Sequence, residues 1–339
     1  MMHIHMPLLI FTTFLFTNIT SQVLAENPSS KTLFLEKLMG TDVRIVVDAP
    51  QSDKLKNAVN SAYKEGIRLN KVFSDWDAES ELSHFSRSSQ FGKAFPLSEE
   101  LLNILLYSQS LARKSGGAFD VTIGPLSRLW RIARHQKKFP DRNRIENTLL
   151  RTGYKKLEIN ESNSSARLLA KGMVLDLGGI AKGYIADRML EVMKRRGFNR
   201  CLIDAGGDLT IGDPPRNKKG WQISVGGVSD PCIPELELAN CAVATSGDIE
   251  QYLEINGKRY SHLIDPRTGK GIEGRKQVTF VAENGMIADA YASTCLVLGH
   301  EKSLQILEGL SFYKLYSVIL DDSSSRAFQL FEHHSGTQD

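Results

Sequence analysis

Between residues 241 and 282 the chain reads as strand after strand joined by short turns, and this narrows its possible folds more than any other feature. Residues 241–245, 252–255, 260–264 and 277–282 are apolar or alternating runs of strand length. Asn256-Gly257, between the middle two, is the strongest short hairpin signal a sequence can carry. A two-residue connection joins antiparallel neighbours, because a parallel crossover needs a dozen residues or more. Further strands are expected around Met39-Gly40-Thr41 within residues 32–47, and at 174–176, 200–205, 221–225, 316–320 and 327–331. Helices are expected over 53–73, 99–114, from the Gly178-Gly179 turn to 196, 287–298 and 301–310. The first shows apolar residues at Leu55, Val59, Ala62, Ile67 and Leu69, roughly helical spacing. Ser98 suits the N-cap of the second, Gly116-Gly117 stops it, and Gly197 closes the third. Hairpins outnumber βαβ units. The expected class is α+β, with mostly antiparallel sheets and packed helices, rather than a doubly wound parallel sheet.

The 339 residues suffice for one large or two ordinary domains. A net charge of +3 does not point to nucleic acid. The cluster Lys194-Arg195-Arg196 fits the C-terminal end of a helix better than a polyanion site. The N-terminus differs from the rest. An apolar run over 6–16 is followed by polar residues and then Val23-Leu24-Ala25. This is the plan of a secretory signal peptide over 1–25, too short for a membrane span of about 20 residues. Its first residues carry His3 and His5 but no Lys or Arg, which leaves a retained anchor at the inner membrane as the alternative. The mature part, 26–339, is expected to be an exported, periplasmic domain of two intimately packed halves with a central cleft. Cys201 and Cys295 sit in apolar runs as buried thiols; Cys232 and Cys241 flank a short segment and suit a disulfide in an oxidising compartment.

Asp289 and Ser293 lie four residues apart in an expected helix, so they share one face. A carboxylate and a hydroxyl near a helix N-terminus suit a hydrated Mg²⁺ carrying a phosphate. Asp176-Leu177-Gly178-Gly179 reads as a strand end and glycine turn before a helix, where a phosphate or metal can approach the backbone. An ordinary strand-to-helix connection reads the same way. Gly117-Ala118-Phe119-Asp120 leaves room for a flat ring with Asp120 beside it, or is a helix stop followed by a strand. Trp76, flanked by Asp75 and Asp77, suits stacking on a heterocycle or packing on the domain surface. His262, ahead of the turn Asp265-Pro266-Arg267-Thr268-Gly269, suits a general base near neutral pH. Arg267 is placed to pair with a phosphate or a carboxylate.

Taken in order, these motifs resemble the ApbE family of FAD:protein FMN transferases. The resemblance runs from about residue 33 to 298 and includes Met39-Gly40-Thr41, Gly117-Ala118-Phe119-Asp120, the stretch Leu175 to Tyr184, Ala205-Gly206-Gly207-Asp208, Ala244-Thr245-Ser246-Gly247, His262 to Gly269, and Ala288-Asp289-Ala290. It implies a fold of paired T-fold-like halves. It implies transfer of FMN from FAD to a Ser or Thr hydroxyl of an exported flavoprotein, with a phosphodiester bond formed and AMP released. The FAD site would be lined by Met39, Trp76, Ala118, Phe119, Asp120, Asp176, Lys182, Leu263 and Ile264. Mg²⁺ would be held by the main-chain carbonyl of Gly179 and by the side chains of Asp289 and Ser293. Position 293 is Thr, and position 179 a small residue other than Gly, in much of the family; Ser keeps the hydroxyl and loses a methyl that restricts its rotamer. Asp289 and His262 are the expected catalytic residues, His262 as base. Acceptors in the family are subunits of respiratory quinone reductases and related electron-transfer proteins. Two other functions fit the same sequence: a pyrophosphatase cleaving FAD to FMN and AMP, and a non-catalytic flavin-binding protein.

Overall fold

The computed structural model describes residues 31–87, 92–225, 234–247, 252–255, 257–320 and 328–335. The expected signal peptide, Cys232 and Asn256 lie outside these residues.

In chain order the elements are β1 (Lys31–Leu38), β2 (Thr41–Asp48), α1 (Asp53–Phe73), α2 (Glu81–Arg87), β3 (Phe95–Pro96), α3 (Glu99–Lys114), α4 (Gly124–Gln136) and α5 (Arg142–Leu149). Then follow β4 (Leu157–Asn160), β5 (Ser165–Leu168), α6 (Ala181–Arg195), β6 (Cys201–Ala205), β7 (Asp208–Ile211), β8 (Trp221–Ser224), β9 (Glu235–Leu238) and β10 (Cys241–Gly247). The chain continues with β11 (Tyr252–Ile255), β12 (Lys258–Asp265), β13 (Lys270–Glu273), β14 (Arg275–Ala282), α7 (Gly285–Leu298), α8 (His300–Leu307), β15 (Tyr313–Leu320) and β16 (Phe328–His334).

One eight-stranded sheet runs in the order β1-β2-β6-β7-β10-β14-β15-β16. Every neighbouring pair in it is antiparallel, including those, such as β2–β6, that long connections join. It divides at β7–β10 into two four-stranded halves. The first is backed by α1 and α6, the second by α7 and α8. The α+β expectation holds.

Alternation along the strands makes two cores. On β6, Cys201, Ile203 and Ala205 face the helices, whereas Leu202 faces the opposite side. That opposite face is covered by the β8–β9 hairpin through Trp221, Ile223, Leu236 and Leu238. A third cluster joins Leu126 and Trp130 of α4 to Leu253 and Ile264 of the β11-β12-β13 sheet. Trp130 is fully buried and its indole N–H donates to the Gly269 carbonyl at 2.9 Å.

Three expectations change. Residues 174–176 are not a strand: Val174 makes one parallel bridge, to Ile123. Gly124-Pro125 opens α4, with proline at its first turn, where no amide hydrogen bond is lost, so the strand that was the alternative reading after Asp120 does not form. Ile67 is 45% exposed, because the buried stripe of α1 runs through Leu55, Ala58, Val59, Ala62, Tyr63, Gly66, Leu69 and Phe73. Cys241 is a buried free thiol, as are Cys201 and Cys295.

Candidate active site

The site grows from the crossing of α6 and α7. A Cβ placed on Gly183 would lie 2.0 Å from the Gly285 carbonyl oxygen, so the two backbones meet where no side chain fits. The first amides of α7 lack partners within their own helix. Asn284 caps one by accepting from Ile287 N–H at 2.9 Å. Asp187, from α6, accepts from Gly285 N–H at 2.7 Å and Met286 N–H at 2.9 Å, and from the Thr210 hydroxyl at 3.1 Å. Burial pushes the Asp187 carboxyl up to about 6 despite these donors.

This junction fixes the candidate metal ligands. Asp289 follows the capped turn of α7, is buried, and accepts from Gly183 N–H in the first turn of α6 at 3.2 Å. Ser293 lies one turn further; its hydroxyl is 3.0 Å from that of Ser246 at the end of β10. A Cβ on Gly179 would sit 3.1 Å from Ser293 Oγ, so the glycine turn before α6 comes up against the same hydroxyl. Gly179, Asp289 and Ser293 are thus gathered from two segments more than a hundred residues apart.

Lys182, in the first turn of α6, makes a short ion pair with Asp208 at the start of β7, and Asp208 also accepts from Thr245 N–H at 3.3 Å. Burial pushes Asp289 well above the usual carboxylate range, and the nearby Asp208 adds to this; Lys182 opposes it. Burial acts to lower Lys182, but Asp208 and Asp289 outweigh it and hold the ammonium above its ordinary range. Asp208 and Asp289 therefore share the single Lys182 ammonium, with Asp204 also acting on it, and this negative charge favours one more cation. Among the described residues no cluster of three His, Cys, Asp or Glu side chains could hold a metal. A carboxylate, a hydroxyl and a nearby main-chain carbonyl are hard oxygen donors, and a set this sparse fits Mg²⁺, which keeps waters and takes phosphate oxygens.

A second group lies at the turn that enters α6. Asp176 accepts from Gly178 N–H at 2.9 Å, and its other oxygen is 3.5 Å from Arg131 Nη2 of α4. The same nitrogen donates to Asp75 at 3.0 Å, and the guanidinium carbon lies 4.3 Å from the centroid of the Trp76 ring. Trp76 is 76% exposed, so beyond its contact with Arg131 most of the ring stands open to a stacking partner.

The loop from Gly117 to Asp120 is tied to this turn by Asp176 N–H donating to the Val121 carbonyl at 2.8 Å. Ala118 and Phe119 are buried, and the Phe119 ring comes within 3.8 Å of a Cβ placed on Gly179. Asp120 is engaged internally. One oxygen accepts from Thr122 N–H at 2.8 Å and its hydroxyl at 2.7 Å, the other from Tyr154 N–H at 2.7 Å. Burial leaves its carboxyl raised. Met39, with a positive φ of 56°, turns the β1–β2 hairpin beside the Gly206-Gly207 turn that leads to Asp208. Leu263 packs on the main core, whereas its neighbour Ile264 is buried against α4, so the two face opposite ways. His262 is half-buried in β12, where pairing with β13 is irregular between Tyr260 and Ile264. Arg267 is taken by Asp265, through two side-chain contacts of 2.8 Å, which resolves its expected partner as a carboxylate.

Asp187 and Arg131 were not singled out from the sequence, and Asp208 and Ser246 entered only within motifs, with no role assigned. Asp187 had a signal, one helical turn after Gly183; Arg131 had none until α4 was seen. Cavities of about 520 and 350 Å³ flank the outer side of α6, and neither is lined by Gly179, Asp289 or Ser293.

A carboxylate and a hydroxyl facing a helix N-terminus, with an open aromatic platform at the same turn, make up a site suited to handling a nucleotide phosphate. The chain belongs to the ApbE family, whose model matches residues 39–315. A relative from Klebsiella pneumoniae strain 342, named FAD:protein FMN transferase, is 30% identical over 305 residues, covering 86% of each chain. One of the same name from Escherichia coli K12 is 31% identical over 294 residues, covering 82% of each. Among solved structures, the flavin transferase ApbE from Vibrio cholerae has a TM-score of 0.78 at 26% identity and covers 90% of this chain and 97% of its own. The ApbE protein of Thermotoga maritima has a TM-score of 0.75 at 28% identity, with 88% and 96% covered.

Proposed function

We propose that this chain is an FAD:protein FMN transferase, acting with Mg²⁺ on a Ser or Thr hydroxyl of an exported flavoprotein. The observation that carries the reading is the meeting of Gly179, Asp289 and Ser293 at the first turn of α6, within a family whose named relatives perform FMN transfer. In the reaction the acceptor oxygen forms a bond to the FMN phosphorus. The bond from that phosphorus to the bridging oxygen breaks, and AMP leaves with the bridging oxygen.

The Gly179 carbonyl, Asp289 and Ser293 would hold the Mg²⁺, and Ser246 orients the Ser293 hydroxyl. When bound, the ion supplies charge neutralisation on the diphosphate. Lys182, kept charged by Asp208, adds a fixed positive charge at the same helix start. Trp76 and Asp176 present the ring side of the site, with Phe119 beneath the glycine turn. Met39 and Leu263 complete its lining, Ala118 and Asp120 shape the loop behind it, and Ile264 anchors β12. His262 takes the proton of the acceptor hydroxyl.

The domain acts in the periplasm after removal of residues 1–25, as a single unit over 26–339. Its acceptor is an electron-transfer subunit of the respiratory quinone-reductase type or a related protein. Incubation with FAD and Mg²⁺, with and without an acceptor domain, tests the activity. A fluorescent acceptor band on a denaturing gel, with AMP formed only when acceptor is present, is expected. AMP at the same rate without acceptor would make the protein a pyrophosphatase. FAD bound but unchanged under both conditions would make it a flavin-binding protein.

A further inference from the structure

Trp76 is a large ring left mostly in water, yet it is not loose. Its loop is pinned by Ser74, whose hydroxyl accepts from Trp76 N–H at 3.2 Å and Asp77 N–H at 3.0 Å. One ring face is covered by the Arg131 guanidinium, 4.3 Å from the centroid. Arg131 is itself held on its edge: Nη2 reaches Asp75 at 3.0 Å and Asp176 at 3.5 Å, and both carboxylates are largely shielded from solvent. Asp176 continues the chain of contacts to Gly178 N–H at 2.9 Å, in the turn that leads to Gly179. A planar cation between an indole and two carboxylates has only one orientation that satisfies all three.

From this geometry we infer that Arg131 is a positioning residue for the flavin ring. It fixes the free face of Trp76 as a stacking platform and locks that platform in register with the Gly178-Gly179 turn. The inference rests on the proposed function, since it takes FAD as the ligand. Lysine cannot replace the guanidinium, because an ammonium offers no plane to lie under the indole. Without Arg131, Asp75 and Asp176 would face each other uncompensated. Burial and Asp176 already raise the Asp75 carboxyl, and Arg131 is what opposes them. The loop would then open and the indole would lose its orientation.

The test is a double-mutant cycle on FAD affinity, read by quenching of flavin fluorescence in the absence of acceptor, with wild type, R131K, W76A and the double variant. R131K and W76A should each weaken FAD binding about tenfold, the size expected for a lost ring contact of this kind. The double variant should bind FAD as W76A alone does, because Arg131 acts through the ring. R131K should also weaken FMN but not AMP, and its loss should fall on the KM for FAD more than on kcat. Unchanged affinity in R131K, additive losses in the double variant, or a loss confined to AMP would each overturn the inference and leave the transferase reading standing. Absence of FAD binding by the wild type would overturn both. R131K keeps a positive charge beside Asp75 and Asp176, and its unfolding midpoint, measured alongside, separates a folding defect from a lost platform.

Discussion

The two ends of the candidate site are built on opposite principles. At the α6–α7 junction the functional groups are buried, carried on helices, and held by backbone contact so tight that Gly183 and Gly285 admit no side chain. At the Trp76 corner the functional ring is exposed, carried on a loop, and held by one guanidinium shared among three partners. Under the proposed function the difference follows from what each end would handle. A divalent ion and a diphosphate need oxygen donors fixed to a fraction of an ångström, and buried negative charge to hold the ion. A flat apolar ring needs area and orientation, which an exposed indole provides at little cost in desolvation.

The largest losses are expected at the junction. Asp289→Ala should lower Mg²⁺-dependent FMN transfer by on the order of a thousandfold or more, with FAD still bound, since the stabilisation of transition-state charge is lost. Transfer at the normal rate would remove the metal assignment. Gly183→Ala should cost at least about 3 kcal/mol of stability, because the added methyl meets backbone and not a flexible side chain; denaturant unfolding measures it. Asp187→Asn keeps the shape but loses acceptors for the α7 amides. Its Mg²⁺ affinity, followed by calorimetry, should fall roughly 10- to 100-fold, as for changes behind a ligand.

A smaller effect has a sign that sharpens the contrast. Asp289 is raised above its unfolded value of 3.8 by burial and by Asp208. A raised carboxyl contributes stability below the unfolded value and loses it as pH rises through the folded one. In metal-free protein, Asp289→Asn should therefore unfold at a higher temperature than wild type at pH 8, and the gain should vanish toward pH 4. Saturating Mg²⁺ should reverse the order at pH 8. Equal midpoints at both pH values would show that the charge is not buried as described. At the other end, Trp76→Ala should change stability by less than about 0.5 kcal/mol, since the ring is in solvent. A large loss there would mean that the platform is part of the core.

Sequence pattern made the fold more legible than the site. Ser98, the two-residue connection at 256–257 and the α1 stripe each carry their own local chemistry, and the elements formed where that chemistry put them. α4 was not among the expected helices, although the spacing of Leu126, Leu129, Trp130 and Ala133 carries its helical signal. Asp289 and Ser293 share a helix face by spacing alone. What spacing could not convey is the partnership of Asp187 with the α7 amides, of Lys182 with Asp208, or of Arg131 with Trp76. Each joins distant segments, and Asp187 and Arg131 by themselves look like ordinary surface charges.

The junction of α6 and α7 is the proposed seat of the metal. Crystals grown with FAD and with Mn²⁺ in place of Mg²⁺ test it through the anomalous signal of the ion. One strong peak is expected between the Gly179 carbonyl, Asp289 and Ser293, absent in Asp289→Ala. A peak away from these three residues, or one that persists without the Asp289 carboxylate, would contradict it.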